Sequence, residues 1–435
     1  MGMYCNQCSM SAAGGCGSNQ QSVGTCGKDE TLANIQDIIV YGLKGVSAYR
    51  VQAEHYGVDT KEVDDLINRA LYFTLTNVNF NFDEHVNMLM EVGQATCTMM
   101  TKLDQAHIDR LGSPAPVSVS QNKVEGKAIL VSGHDHYSLF ELLKQSEGKG
   151  VNVYTHSEQL PSHSYPELAK FSHLKGNVGG AWFDQKQLFS KFNGAIFVNT
   201  NCIVPTKGKD YTDRLFCYAE VGAEGAAHIE DNDFTPLIDK ALELPETNWE
   251  SDETLATGHH HSVILSLASQ IVEAVNDGKI KRFFVVAGCD SPGKAGNYYR
   301  ELVEQIPQDC VVITSSCGKY RFNDLDLGTI PGTEIPRYLD LGQCNDSVGA
   351  VVIAQQLAQA FGCEVNDLPV SIILSWMEQK AVAILLALFS LGIKDIRLGP
   401  KPPQFVNDNI VNFLVDTFDF KLTATAKEDL QTILQ

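Results

Sequence analysis

The sequence predicts an α/β protein, an N-terminal helical bundle followed by two Rossmann-like α/β domains with parallel sheets. Three observations carry this. Between residues 28 and 102 apolar side chains recur at helical spacing, with Leu32, Ile35, Ile38, Ile39 and Leu43 on one stripe and Val63, Leu66, Ile67 and Leu71 on another. From Lys127 the pattern changes to short apolar runs, A-I-L-V-S, V-N-V-Y-T and A-I-F-V-N, separated by helix-type stretches, which is the alternation of a parallel sheet. After residue 257 the same alternation starts again.

Taken in order, residues 1 to 30 form a Gly/Ser/Asn/Gln-rich loop with four cysteines, and residues 83–103 supply a third helix rich in Met and Val. Three helices with short connections make a bundle. Gly112-Ser113-Pro114-Ala115-Pro116 reads as a linker, and the acidic stretch 229–257 reads as irregular and as a second boundary. The expected domains are therefore 1–115, 116–245 and 246–435. In the last of these, helices are expected at 261–276, 295–305, 347–361 and 380–391, and strands at 282–287, 310–314 and 370–375.

Composition narrows the function classes. The chain has 435 residues, 44% hydrophobic and 20% charged, with a formal net charge of −20. That charge argues against nucleic acid or an anionic membrane surface as a main partner, because both require basic surface. The longest apolar run, 381–391, is short of the ~20 residues of a membrane helix. The N-terminus lacks a basic and apolar leader, so the expected location is the cytoplasm. Twelve cysteines in that compartment read as metal ligands more readily than as disulfides.

The cysteines fall into two groups. Cys5, Cys8, Cys16 and Cys26 give C-x2-C-x7-C-x9-C in a glycine-rich loop, a spacing that lets thiolates wrap one ion or cluster. Zinc is the alternative occupant, but an iron–sulfur cluster is preferred because further metal-ligand candidates lie downstream. The second group is dispersed, but each member follows a strand or turn: His134, Glu158 and Cys202 in the first α/β domain, and Cys289, Cys317, Cys344 and Glu378 in the second. Ligands of open α/β sheets collect at the carboxyl ends of strands. Mixed thiolate, imidazole and carboxylate donors favour iron with some oxygen ligation over a pure electron-transfer cluster. Cys97, Cys217, Cys310 and Cys363 read as packing thiols. The tract His259-His260-His261 reads as a loop outside the site.

These motifs, in this order, resemble the hybrid-cluster proteins, also called prismane proteins or hydroxylamine reductases. The resemblance runs nearly end to end, through S-G-H-D at His134, V-Y-T-H-S-E at Glu158, T-N-C-I-V-P at Cys202, G-C-D-S at Cys289, C-G-K-Y-R-F-N at Cys317, G-Q-C-N-D-S at Cys344 and W-M-E-Q-K-A-V at Glu378. It implies a [4Fe-4S] cluster, or in some branches a [2Fe-2S] cluster, at Cys5, Cys8, Cys16 and Cys26. It further implies a hybrid [4Fe-2O-2S] cluster on His134, Glu158, Cys202, Cys317, Cys344 and Glu378, with Cys289 carrying a persulfide sulfur. Lys380 matches a lysine near the cluster and would act as a general acid, alongside Glu378, His134 and Glu158. Cys16 and Cys26 are separated by nine residues, more than the family spacing. With 87 residues between Cys26 and Pro114 there is room for one bundle, which marks the short branch of the family.

The activity implied is reduction of a small nitrogen species, hydroxylamine to ammonia and water or nitric oxide to nitrous oxide. Electrons would come from a ferredoxin- or NADH-reductase-type donor, and a homo-oligomer is compatible. Two alternatives are a redox or nitric-oxide sensor that modifies other proteins (S-nitrosylation) through the cluster, and a carbon monoxide dehydrogenase-like enzyme. The second requires nickel.

Overall fold

A computed structural model describes residues 5–12, 15–16, 23–205, 208, 210–375, 378–399 and 406–435. The chain divides into two compact units, Met1–Leu103 with Ser371–Thr425, and Asp104–Val370 with Ala426–Gln435. This division does not follow the boundaries at 115 and 245 expected from composition. The reason lies in the first unit, where the late helix Gln379–Ser390 packs against the N-terminal helices.

Three helices open the first unit: α1 (Glu30–His55), α2 (Lys61–Phe73) and α3 (Phe82–Leu111). Asp29 caps α1, its carboxylate accepting the Leu32 amide at 2.8 Å, and Glu30 adds a favourable charge at the positive end of the helix. The stripe read from the sequence is the buried face of α1, with Leu32, Ile35, Ile39 and Leu43 all inside. On α2 the expected stripe is only half used: Val63 is buried but Leu71 is exposed. Helix Gln379–Ser390 approaches α1 and α3 at backbone distance. A Cβ on Gly45 would stand 2.5 Å from Gln379 O, and one on Gly93 2.1 Å from Leu386 O, so both positions need glycine. The unit also holds parallel strands Ile396–Leu398 and Lys421–Leu422, the former paired with strand Val370–Leu374.

The second unit contains a six-stranded sheet: β1 (Lys127–Ser132), β2 (Val151–His156), β3 (Leu174–Asn177), β4 (Ala195–Val198), β5 (Leu215–Tyr218) and β6 (Ala227–Ile229). Every pairing is parallel and the order is β3-β2-β1-β4-β5-β6. The strands read as continuous apolar runs because both faces are covered. Ile129, Val131, Val153 and Phe197 pack on Leu139, Leu143 and Phe234, while Leu130, Tyr154 and Ile196 pack on Phe189 and Phe192. Strand order reverses between β1 and β4, the switch point where such sheets open a crevice. A further parallel set, Arg282–Ala287, Cys310–Thr314 and Tyr338–Asp340, lies in the same unit.

The stretch 229–257 is not irregular. It contains helix Thr235–Glu243, with Pro236 in its first turn and Leu237, Ile238 and Ala241 buried. Strand Thr254–Thr257 follows, pairing antiparallel with Val117–Ser120. Its acidic residues lie mostly on the solvent side, which concealed a short apolar face.

Candidate metal centres

His134 stands at the switch point. The chain leaves β1 through Gly133, whose φ of 128° is in the left-handed region. A Cβ there would fall 2.0 Å from Asn199 Oδ1 and 2.8 Å from the Thr200 nitrogen, so only glycine lets the ends of β1 and β4 close up. Thr200 then organises the histidine. Its Oγ1 accepts the His134 backbone N–H at 2.7 Å, lies 3.0 Å from Nδ1, and donates its own hydrogen to Asn201 O at 2.9 Å. With that hydrogen used, Nδ1 must carry the proton and Nε2 the lone pair, the tautomer a metal-ligating imidazole needs.

Nε2 faces the Glu158 carboxylate. Glu158 Oε2 is 3.6 Å away, too long for a hydrogen bond, and both side chains are buried. Two ligands about 2.1 Å from one cation stand roughly 3.4 Å apart, which matches this separation. Glu158 Oε2 also accepts the Cys344 amide at 3.0 Å. His134, Glu158 and Cys344 each offer a ligand atom within 4.8 Å of one another, and all three are buried. Gln343 braces the group from behind: its Nε2 donates to His134 O at 2.9 Å and to Glu158 O at 2.7 Å.

Cys317 belongs to the same neighbourhood. Its Sγ lies 3.1 Å from Ser157 Oγ, and its thiol is pushed well above the usual range by burial first, then by the charges of Glu158 and Cys202. Without a cation such a thiol stays protonated; a bound metal reverses that preference. Ser157 (φ 55°) and Ser316 (φ 67°) hold left-handed backbone immediately before Glu158 and Cys317, each at a cost of about 1–3 kcal/mol. Tyr320 fastens the first of these turns by donating to Ser157 O at 2.8 Å. Cys202, after β4, has its carbonyl held by Gln185 Nε2 at 2.6 Å. Cys289 follows strand Arg282–Ala287 and precedes Asp290, which Arg321 Nε engages through both oxygens at 2.8 Å.

Sequence reasoning did not single out Thr200, Ser157, Gln343, or the buried pair Lys319–Asp340. Lys319 Nζ donates to Asp340 Oδ1 at 2.6 Å and to Gly342 O at 2.7 Å, fixing the turn that carries Gln343 and Cys344. The Lys319 of C-G-K-Y-R was visible as a charge inside an apolar region, the one available signal. The histidine tract is built into the fold: His260 Nε2 meets Asp104 Oδ1 at 2.8 Å, and His259 Nδ1 accepts the Asp340 amide at 3.3 Å. Cys217 and Cys310 are buried packing thiols, their pKa values pushed by burial to about 11 and about 12.

Glu378 and Lys380 lie in the other unit. Glu378 caps helix Gln379–Ser390, its Oε1 accepting the Ala381 amide at 3.1 Å, and Lys380 is buried on the first turn. The first unit also carries the N-terminal cysteines. Cys5 and Cys16 are buried together against Ala33, Cys8 and Cys26 are half-buried, and none of the four forms a disulfide. The Cys5 thiol is raised by burial and, more weakly, by Cys16, while the Lys28 ammonium pulls it down. Four unbridged thiols on one loop, two of them buried side by side, fit a tetrathiolate group.

Comparisons with known proteins identify the family. The Prismane/CO dehydrogenase family matches residues 3–89 and 81–431. A hydroxylamine reductase from Moorella thermoacetica is 49% identical over 99% of this chain and 100% of its own length. One from Geobacter metallireducens is 46% identical over 95% of this chain but only 75% of its own length, so the chain corresponds to a shorter form. Among solved structures, carbon monoxide dehydrogenase IV from Carboxydothermus hydrogenoformans aligns over 100% of this chain and 92% of its own with a TM-score of 0.78; at 14% identity that likeness concerns the fold. The chain is thus an oxidoreductase belonging to the Prismane/CO dehydrogenase family.

Proposed function

We propose that this chain is an iron–sulfur oxidoreductase that reduces hydroxylamine to ammonia and water, consuming two electrons and two protons. The observation that carries the reading is the buried imidazole, carboxylate and thiol of His134, Glu158 and Cys344 within 4.8 Å. Nitrogen, oxygen and sulfur donors on one centre suit iron ligated by both oxygen and sulfur. Such a hybrid cluster, when bound, would supply electrons and an open iron position for the substrate oxygen or nitrogen.

In this reading Cys202 and Cys317 complete the thiolate set, Cys289 carries the persulfide sulfur, and Glu378 supplies a further carboxylate. Thr200 keeps the His134 tautomer, and the Cys344 amide orients the Glu158 carboxylate by hydrogen bonding to its Oε2. Lys380, with its ammonium buried, would hand a proton to the leaving oxygen. Electrons would enter through a [4Fe-4S] or [2Fe-2S] group on Cys5, Cys8, Cys16 and Cys26 from an external donor. Nitric oxide, to nitrous oxide, is the second substrate the same donors could serve.

The test is anaerobic purification, iron and sulfide analysis, and measurement of ammonia formed from hydroxylamine with reduced viologen. Roughly eight irons in two clusters and a rate lost in Glu158→Gln are expected. Wild-type protein with full iron that makes no ammonia would overturn the assignment, and nitrous oxide from nitric oxide in that same sample would identify the other substrate.

A further inference from the structure

Lys28 is fully buried, and no carboxylate pairs with it among the described residues. Its Nζ donates to Gln7 Oε1 and, at 2.8 Å, to Gln36 Oε1. Both acceptors are neutral amides. The nearest acid in the network, Asp37, is reached only through Gln7, whose Nε2 donates to its Oδ1 at 2.7 Å and to Ala33 O at 3.0 Å. Gln36 is aligned in turn: its Nε2 donates to His85 Nε2 at 3.1 Å, and His85 Nδ1 donates to Asn81 O at 2.8 Å. Burial, with help from Lys28, pushes His85 down, which keeps the ring neutral and able to accept. Two amide oxygens are thus held on one buried ammonium.

Burying a cation without a counter-charge is strongly unfavourable. The residues around Lys28 show where the counter-charge belongs. Gln7 sits between Cys5 and Cys8, and Lys28 follows Cys26 by two positions. Four thiolates holding an iron–sulfur group make an anion that gains a further negative charge on reduction, and nearby charge tunes its potential.

We infer that Lys28 is the buried counter-cation of the group held by Cys5, Cys8, Cys16 and Cys26, and that its charge makes that group easier to reduce. The inference rests on the proposed iron–sulfur occupancy of these cysteines. In the step concerned one electron passes from a chemical reductant, dithionite through viologen mediators, to the group; no bond to Lys28 forms or breaks and no proton moves. Lys28 is a positioning charge, rigid in its amide cradle, that favours the more negative state.

The experiment is a redox titration of the full-length, iron-loaded protein, with the N-terminal signal followed by paramagnetic resonance. At the wild-type midpoint, Lys28→Met should show a ratio of reduced to oxidised group at least tenfold lower, a midpoint about 59 mV more negative for one electron. Lys28→Arg should restore the ratio to within twofold. Gln36→Glu, which gives Lys28 a carboxylate of its own, should move the midpoint in the same direction as Lys28→Met. A Lys28→Met protein with wild-type iron and an unchanged midpoint overturns the inference. If Lys28→Met does not retain the N-terminal iron, an unchanged midpoint in Gln36→Glu overturns it. Wild-type protein with zinc or no metal on these cysteines refutes the occupancy instead, so the two failures are distinguishable.

Discussion

Gln343→Leu is the sharpest test of how the buried site is held together. The glutamine is fully buried, and its Nε2 is shared by the carbonyls of His134 and Glu158 at 2.9 and 2.7 Å. Leucine keeps similar volume and removes both bonds. Two buried carbonyls losing a partner cost about 1–3 kcal/mol each, or about 2–6 kcal/mol together. Gln343 Oε1 is itself buried and has no partner among the described residues, so its removal returns about 1–3 kcal/mol. The expected net loss is about 2 kcal/mol, enough to lower the thermal midpoint of the metal-free protein by roughly 2 to 3 °C. The iron-loaded variant should lose iron to a chelator faster, because the two carbonyls set the spacing of two proposed ligands. Calorimetry on the apo-protein and chelator-release kinetics on the loaded protein check both halves. An apo midpoint within about 1 °C of wild type would refute the idea that this side chain braces the site.

Three further outcomes are expected. Thr200→Val removes the acceptor of His134 Nδ1–H and should weaken retention of the metal by about 10–100-fold, measured by competition with a chelator, while far-ultraviolet dichroism stays unchanged. Lys319→Met leaves the Asp340 carboxylate buried without its cation and should destabilise the protein by about 3–5 kcal/mol in urea unfolding; a loss under about 1 kcal/mol would contradict the burial of this pair. His163 is held down to about 4 by burial, so the folded state binds fewer protons than the unfolded chain between pH 4 and 6.5. Its contribution is therefore fully present above about pH 6.5 and is lost as pH falls towards 4. Because His163 is only partly buried as a residue, the loss should be about 2 kcal/mol, and His163→Gln should flatten that part of the stability–pH curve.

The alternation of strand and helix was legible because each apolar run of the first sheet is covered on both faces, so patterning alone marks β1, β2 and β4. The placement of His134, Glu158 and Cys202 after strands followed from the same pattern. What patterning missed has two physical origins. The helix Thr235–Glu243 buries only Leu237, Ile238 and Ala241, and its acidic surroundings swamp that short face. The residues that brace the site, Thr200, Ser157 and Gln343, act through hydrogen bonds across as many as 209 positions of sequence, and no local periodicity encodes such bonds.

By itself, then, the sequence determined the fold class, the parallel sheets and which candidate side chains stand just past strand ends, because local spacing and the burial of apolar faces are written in neighbouring residues. Tertiary structure alone decided which donors converge: His134, Glu158 and Cys344 meet because Gly133 lets two strand ends close and Gln343 spans their carbonyls. It also decided that 371–425 joins the first unit, since only glycine at Gly45 and Gly93 allows a helix from the far end of the chain to reach backbone contact.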